Sequence, residues 1–341
     1  MAAPSSSSWR GSLLRGLACL VVLLTALWGG TALAYQGPDL PAGRVALIVL
    51  WGGFALAMLA LLLRRRAAAG LGLYALGFAA LLAWWSGLAP SNTRDWADDV
   101  AHIATATVRG SVVSFEHVRN FDWRSDTDYS VRWEARQYDL DQLQSVDLVL
   151  SYWAGPAIAH TLVSFGFSDG RFLVFSVEIR KERHESFSEV GGFFKEFELA
   201  VIAADERDIL RVRTNVRGED DYLYRIALPP AQRRALFLAY VDEANRLAQA
   251  PRFYQTVTAN CTTIVYKLVQ QIVPQLPLDY RLVLSGYLPE YLQEVGGLAG
   301  PQPLEALRQA GRFTERAKAA DADPAFSQAI RRGVPGIDVK E

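Results

Sequence analysis

Three uncharged apolar runs, at residues 16–38, 45–63 and 67–93, precede nearly all of the chain's charge and restrict what its 341 residues can form. Each run can supply the roughly 20 apolar residues that cross a hydrocarbon core about 30 Å thick. Residues 1–94 are therefore expected to form a membrane anchor, with helices at about 13–35, 45–63 and 70–89. Basic residues fix its orientation. Arg10 and Arg15 precede the first run, and Arg64, Arg65 and Arg66 fill the turn between the second and third. The loop between the first two runs carries only Asp39 and Arg44. Positive-inside bias keeps the N-terminus and the triple arginine in the cytoplasm, so three crossings deliver Asp95 to the outer side. The first run also reads as a cleaved signal peptide, with an apolar stretch at 17–28 and a small-residue site at Ala32-Leu33-Ala34. Both readings leave the third segment exiting outward.

The remaining length suits a domain-sized unit over residues 95–300, followed by a Pro- and Ala-rich tail at 301–341 that is expected to be peripheral. A net charge of −1, with no basic block interleaved with aromatics, gives no reason to expect nucleic acid as a partner. Strand-like and helical segments mix without a repeating period, which indicates an α+β domain with an antiparallel sheet. Strands are expected at 105–118 with a turn at Arg109-Gly110, and at 147–152, 157–167, 171–180, 193–203 and 209–213. Leu140–Val146 reads as a short helix, Pro230–Ala250 as an amphipathic one, and Leu304–Ala320 as a basic helical stretch.

Two cysteines are present. Cys19 lies in the first apolar run, where it reads as lipid-facing or packing, and Cys261 is alone in the polar portion. In an oxidising compartment an unpaired thiol invites a chemical explanation, although most free cysteines simply pack as small hydrophobes. With Thr258 or Asn260 as N-cap, Ile264, Val265, Leu268, Val269 and Ile272 follow a helical period, which places Cys261 in the first turn. Unpaired amides there lower a thiol's pKa and can bind a developing oxyanion.

A thiol nucleophile needs a base. His102 and His117 have no evident partner in sequence, and His184 lies in a charged run that reads as solvated. His160 differs, being polar in the middle of a strand otherwise built for a core. Ser168-Asp169-Gly170 fits a three-residue hairpin loop with glycine in the left-handed position, which sets His160 opposite Glu178. A two-residue loop would put the pair on opposite faces. The three-residue register is preferred because it leaves a nearly apolar face of Thr161, Val163, Phe165, Phe167, Leu173, Phe175, Val177 and Ile179. Cys261, His160 and Glu178 then form a candidate nucleophile, base and orienting carboxylate. Asn260 and Thr262 beside the thiol, and Ser164 and Ser176 on the histidine face, are candidate substrate contacts. From spacing alone, a buried histidine satisfied by an acid, with an inert cysteine, reads equally well. Asn120, Arg119 and Asp122 read as a turn in preference to a cleft lining, and Arg207, Asp208, Arg211 and Arg213 as a solvated, ion-paired edge. No clustered ligand spacing or Gly-rich phosphate loop calls for a metal or an organic cofactor.

Several stretches in order carry a resemblance: Val118-Arg119-Asn120-Phe121, Trp133-Glu134-Ala135-Arg136-Gln137-Tyr138, Ala159 to Phe167 around His160, Phe175 to Glu182 around Glu178, and Asn260-Cys261-Thr262-Thr263. Over roughly Asp95 to Pro274 the chain resembles the Lnb N-terminal periplasmic domain family. Members with an assigned role are thiol-dependent lipoprotein N-acyltransferases. The resemblance therefore implies a circularly permuted papain-like fold, with a histidine strand before a cysteine helix, Cys261 as acyl-accepting nucleophile and His160 as its base. It also implies phospholipid as donor, a lipoprotein amine as acceptor, and residence in a bacterial inner (cytoplasmic) membrane with the globular domain periplasmic. One departure is that the membrane helices here come first, whereas assigned members place them after the domain. That leaves the acceptor open but not the thiol chemistry. Two alternatives stay beside this reading: a cysteine peptidase or amidase of the cell envelope, and a non-catalytic binding module of an envelope complex.

Overall fold

The computed structural model describes residues 6–64 and 66–337, in two compact units. The first comprises the chain up to Pro90 together with the inserted segment Ser188–Glu196, and the second comprises Ser91–Phe187 and the chain from Phe197 onward.

The first unit holds three helices, α1 (Ser6–Gln36), α2 (Pro41–Leu63) and α3 (Ala67–Gly87). All three are long and apolar enough to cross a membrane, with candidate spans at Gly11–Gln36, Pro41–Leu63 and Ala67–Gly87. At 1.5 Å of rise per residue these lengths exceed an ~30 Å hydrocarbon core. Apolar attraction between helices is weak in lipid, so packing and hydrogen bonds hold such helices together. Both are present. The Tyr74 hydroxyl lies 2.8 Å from Thr25 Oγ1 and donates to the Val22 carbonyl at 3.2 Å, and the Trp51 indole donates to the Ala26 carbonyl at 2.9 Å. Gly29 permits this approach, since a Cβ there would fall 2.6 Å from Leu81 and 2.7 Å from Trp51. Ala32 and Leu33, the small-residue site of the signal-peptide reading, are buried inside α1.

The second unit is built on a mixed eight-stranded sheet. Its strands are β1 (Ala106–Arg109), β2 (Val112–Arg119), β5 (Trp133–Asp139), β6 (Leu143–Tyr152), β7 (Ala159–Phe167), β8 (Phe172–Arg180), β9 (Glu198–Ala204) and β10 (Asp220–Arg225), with β3 (Asp122–Trp123) and β4 (Tyr129–Ser130) forming a separate hairpin. The order is β1-β2-β9-β8-β7-β6-β10, with β5 also paired to β2. Pairing is antiparallel except between β2 and β9, which makes the sheet mixed rather than purely antiparallel. The helices are α4 (Glu206–Arg211), α5 (Pro230–Gln249), α6 (Cys261–Gln270), α7 (Leu288–Glu294), α8 (Leu304–Gly311), α9 (Thr314–Ala319) and α10 (Phe326–Ala329).

The β7–β8 hairpin has the three-residue register. Phe167 N–H donates to Arg171 O, Gly170 adopts φ +84°, and the ladder pairs Leu162 with Ser176 and Gly166 with Phe172. Its apolar face packs beneath α5, where Phe165 meets Phe237 at 5.1 Å and Phe175 stacks on Tyr240 at 4.8 Å. Truncating one such core phenylalanine to alanine costs about 3–5 kcal/mol, so this face orients the whole hairpin.

Four expectations are corrected. Leu140–Gln142 is one 3-10 turn, capped by the Asp139 side chain, and the sequence is already strand at Leu143. The expected strand at 209–213 is helix α4 running into a π-helical turn, because the Asp205 carboxylate caps the Arg207 amide and commits the backbone to helix. The stretch 304–320 is two helices rather than one, broken after Gly311, where a Cβ would lie 2.5 Å from the Leu223 carbonyl oxygen. Finally, the tail from residue 301 is not peripheral. Phe313, Phe326 and Ile330 are fully buried, and Arg331 is an interior ion-pair partner.

A candidate thiol site at one end of the sheet

Cys261 is the first residue of α6 and Asn260 is its N-cap. The Asn260 carboxamide oxygen accepts from the amides of Thr262 at 3.0 Å and Thr263 at 2.8 Å, while the Asn260 amide donates to Thr263 Oγ1 at 2.9 Å. This reciprocal capping box fixes where the helix begins, and so where the sulfur sits. It also uses two of the first-turn amides expected to face an oxyanion. The amide of Cys261 itself is not one of them.

His160 projects from β7 with its side chain 12% exposed. Its Nε2 lies 2.7 Å from Ser176 Oγ and 3.2 Å from Glu178 Oε1, and Ser176 Oγ donates to that same carboxylate oxygen at 2.6 Å. A hydroxyl that donates to Glu178 accepts from the ring, so Nε2 carries a proton and Nδ1 is the nitrogen left for the sulfur.

The electrostatics follow from this placement. Burial pushes the Cys261 thiol up, but the His160 imidazole beside it, with hydrogen bonds from the ring, the Thr161 backbone and Thr262, brings it below its ordinary value. Burial opposes the charged imidazole, and Arg213 opposes it further; Glu178 and Cys261 outweigh both and raise His160 to about 9. Burial also disfavours an ionised Glu178, yet His160, Arg213 and Ser176 hold its carboxyl well below the ordinary range. Both shifts move the pair toward a thiolate beside an imidazolium that is held by a carboxylate. The titration belongs to the coupled pair rather than to either residue.

Other side chains complete the site. Arg213 Nη2 donates to Glu178 Oε1 at 3.3 Å, and its Nη1 to Glu219 Oε2 at 3.1 Å. Ser151 hydrogen-bonds both Glu219 and Asp221, the latter at 2.5 Å. Burial pushes the Asp221 carboxyl up to about 7. Sequence reading placed Arg213 on a solvated edge; it is buried, because the π-helical turn after α4 directs it inward. Nothing in local sequence marks Ser151, Glu219 and Asp221 as partners, since they meet only through the pairing of β6 with β10.

The candidate substrate contacts divide differently from the expectation. Asn260 is the helix cap and Ser176 is the relay between ring and carboxylate. Thr262 is buried against Thr161 at 3.0 Å. Ser164 is wholly buried and bonded to Glu206 at 2.5 Å and to Arg331 at 3.2 Å, so it belongs to the interior. His102 and His117, which lacked partners in sequence, stack on each other at 4.4 Å. His184 is solvated, with 76% of its side chain exposed. Arg119 forms a buried double hydrogen bond to Asp208 at 2.8 and 3.1 Å. Asn120 and Asp122 do line a cavity of about 330 Å³ with Arg132, Arg207 and Arg211, but no residue of the thiol site borders it. Among the described residues no group of three or more His, Cys, Asp or Glu is placed to hold a metal ion.

Residues 129–286 match the family model described as the Lnb N-terminal periplasmic domain. That span contains Cys261, His160 and Glu178, and it begins later and ends later than the stretch over which the resemblance was read. No curated protein matches the chain, and no solved structure does.

Proposed function

Starting from a chain whose residues 129–286 match the family model of the Lnb N-terminal periplasmic domain, we propose that this protein is a membrane-tethered thiol acyltransferase. The Cys261 thiolate attacks the carbonyl carbon of a phospholipid ester. The C–O bond breaks, the His160 imidazolium protonates the departing alkoxide, and a lysophospholipid leaves behind a Cys261 thioester. A primary amine then attacks the thioester, His160 takes its proton, and the thiolate is regenerated as the amide forms. The amide N–H of Cys261 is the donor for the oxyanion of both steps. Glu178, through Ser176, holds the ring in the required tautomer. The acceptor is the α-amino group of a lipoprotein N-terminus, the membrane is the bacterial inner membrane, and the fold is the permuted papain-like arrangement in which the histidine strand precedes the cysteine helix.

One observation carries this reading: a thiol at the first position of a capped helix, lowered in pKa against a carboxylate-held imidazole. An inert buried cysteine has its pKa raised by its surroundings. Three candidate spans on the same chain supply a physical route to a lipid donor, because tethering replaces a bimolecular search with a high local concentration. The test is to incubate the full-length protein in detergent–phospholipid micelles with acyl-labelled phospholipid and look for an adduct released by hydroxylamine. The expected result is a labile adduct in the wild type and none in Cys261→Ala. A folded wild type without adduct, or an equally labile adduct in Cys261→Ala, overturns the assignment.

A further inference from the structure

The segment Ser188–Glu196 connects two strands of the sheet yet belongs to the compact unit of the membrane helices. Its attachments lie at the C-terminal ends of α1 and α3. Phe194 stacks on Tyr35 at 5.6 Å and sits 6.4 Å from Trp28 and 6.3 Å from Trp85, while Trp28 and Trp85 meet edge-on at 5.2 Å. Gln36 donates to the Lys195 carbonyl at 2.8 Å, and the Tyr35 hydroxyl lies 3.1 Å from Ser188 Oγ. Lys195 adopts φ +56°, a region that a lysine rarely occupies, and its ammonium donates to the Trp85 carbonyl at 2.7 Å in the last turn of α3. A cation at a helix C-terminus is favourable, and a left-handed non-glycine residue persists where its surroundings fix it. The segment is therefore held to the helix ends by its backbone as well as by its rings.

Beside the exposed Glu189, what it presents outward is apolar. Val190 is 51% exposed and Phe193 is 45% exposed, on either side of Gly191 and Gly192 in a single 3-10 turn. Water is a poor environment for a turn that displays valine and phenylalanine beside a cluster of tryptophan and tyrosine. Such rings are enriched where headgroups meet acyl chains. The ends of α1 and α3 that hold the segment are those which the arginine distribution assigns to the outer leaflet.

We propose that Ser188–Glu196 is a lipid-contacting lip, lying in the outer-leaflet interface with Val190 and Phe193 inserted among acyl chains. The occupant of this surface is phospholipid, which is also the donor in the proposed reaction. The identification of donor with occupant rests on that reaction, whereas the insertion itself does not.

The test uses the full chain in phosphatidylcholine vesicles, with Cys19 and Cys261 replaced by serine and a nitroxide attached at Val190→Cys or Phe193→Cys. A control label goes on Asp169→Cys, in the exposed turn of the β7–β8 hairpin. Relaxation by lipid-soluble oxygen is expected to exceed that by a water-soluble nickel complex several-fold at 190 and 193, with the order reversed at 169. Nickel dominance at both 190 and 193 overturns the lip, whether or not the wild type forms an acyl adduct. Oxygen dominance at either site, with no adduct in the wild type, keeps the lip and removes the acyl transfer. Using two independent sites guards against a label that disturbs the turn.

Discussion

Two buried polar networks hang from the same face of strand β7, rooted at His160 and Ser164, and they have opposite characters. Around Ser164 every charge is answered. Arg331 donates to Asp147 at 2.9 Å and to Glu206 at 2.6 and 2.7 Å, Arg225 donates to the other oxygen of Asp147 at 2.5 Å, and the Arg331 and Glu206 side chains are at most 3% exposed. Burial opposes the charge on Arg331, but Glu206 and Asp147 outweigh it, so the pKa rises and the guanidinium is locked. Around His160 the answer is incomplete. The ring and Glu178 keep 12% and 18% of their side chains exposed, the Cys261 thiol is lowered and His160 raised to about 9 against each other, and Asp221 lies near 7. The first network holds structure together, whereas the second contains groups with strongly shifted titrations, of which His160 and Glu178 meet solvent. Burial of charge does not by itself separate a site from a scaffold. Unsettled protons with access do.

Substitutions at the two roots should separate these roles. His160→Ala is expected to slow formation of the acyl adduct by about 10²–10⁴-fold, the usual worth of a positioned acid–base group, and to lower the unfolding midpoint less than loss of Arg331 does, because His160 and Glu178 keep access to solvent. A single-turnover assay checks the rate and chemical denaturation the midpoint. Comparable rates for His160→Ala and wild type would erase the contrast. Arg331→Met should do the reverse, leaving Asp147 and Glu206 without their cation. Removing one partner of a buried pair costs about 3–5 kcal/mol, read as a lower denaturation midpoint, while whatever remains folded still forms the adduct.

Smaller effects refine the comparison. His160 has a folded-state pKa raised from 6.5 to about 9. Its stabilising contribution is therefore complete below the unfolded value and is lost as pH rises through the folded one. Adduct formation is expected to decline through about pH 9 as the imidazolium disappears, and His160→Gln should flatten the alkaline part of the stability profile. Asp221 is raised from 3.8 to about 7, so its contribution likewise fades as pH rises across that interval. Asp221→Asn should remove this slope with the smallest change of all, visible as a flatter denaturation midpoint between mildly acidic and neutral pH.

Much of the site could be read from the residues. Ser168-Asp169-Gly170 specified a loop length, the loop specified register, and register set His160 opposite Glu178. Asn260 and Thr263 announced a helix start, which placed Cys261 in the first turn. Each inference used neighbours in sequence. What failed was of another kind. Arg213 was read as solvated because a run of alternating arginines and aliphatics resembles a strand edge. The Asp205 cap makes that run helical instead and turns the guanidinium toward Glu178. Ser164 shares a face and a strand with His160, which suggested a shared role. Its actual neighbours, Glu206 and Arg331, come from distant parts of the chain.

By itself the sequence determined the three apolar spans, the hairpin register and the capped cysteine helix, because hydropathy, turn chemistry and capping act over a few residues. Only the tertiary structure decided that Ser176 bridges ring to carboxylate, that Arg213, Glu219 and Asp221 stand behind Glu178, and that the tail from residue 301 enters the core. Those outcomes depend on how far-separated segments satisfy one another's buried charges. A guanidinium taken from water must find its carboxylate wherever the fold brings one, and local sequence does not record where that will be.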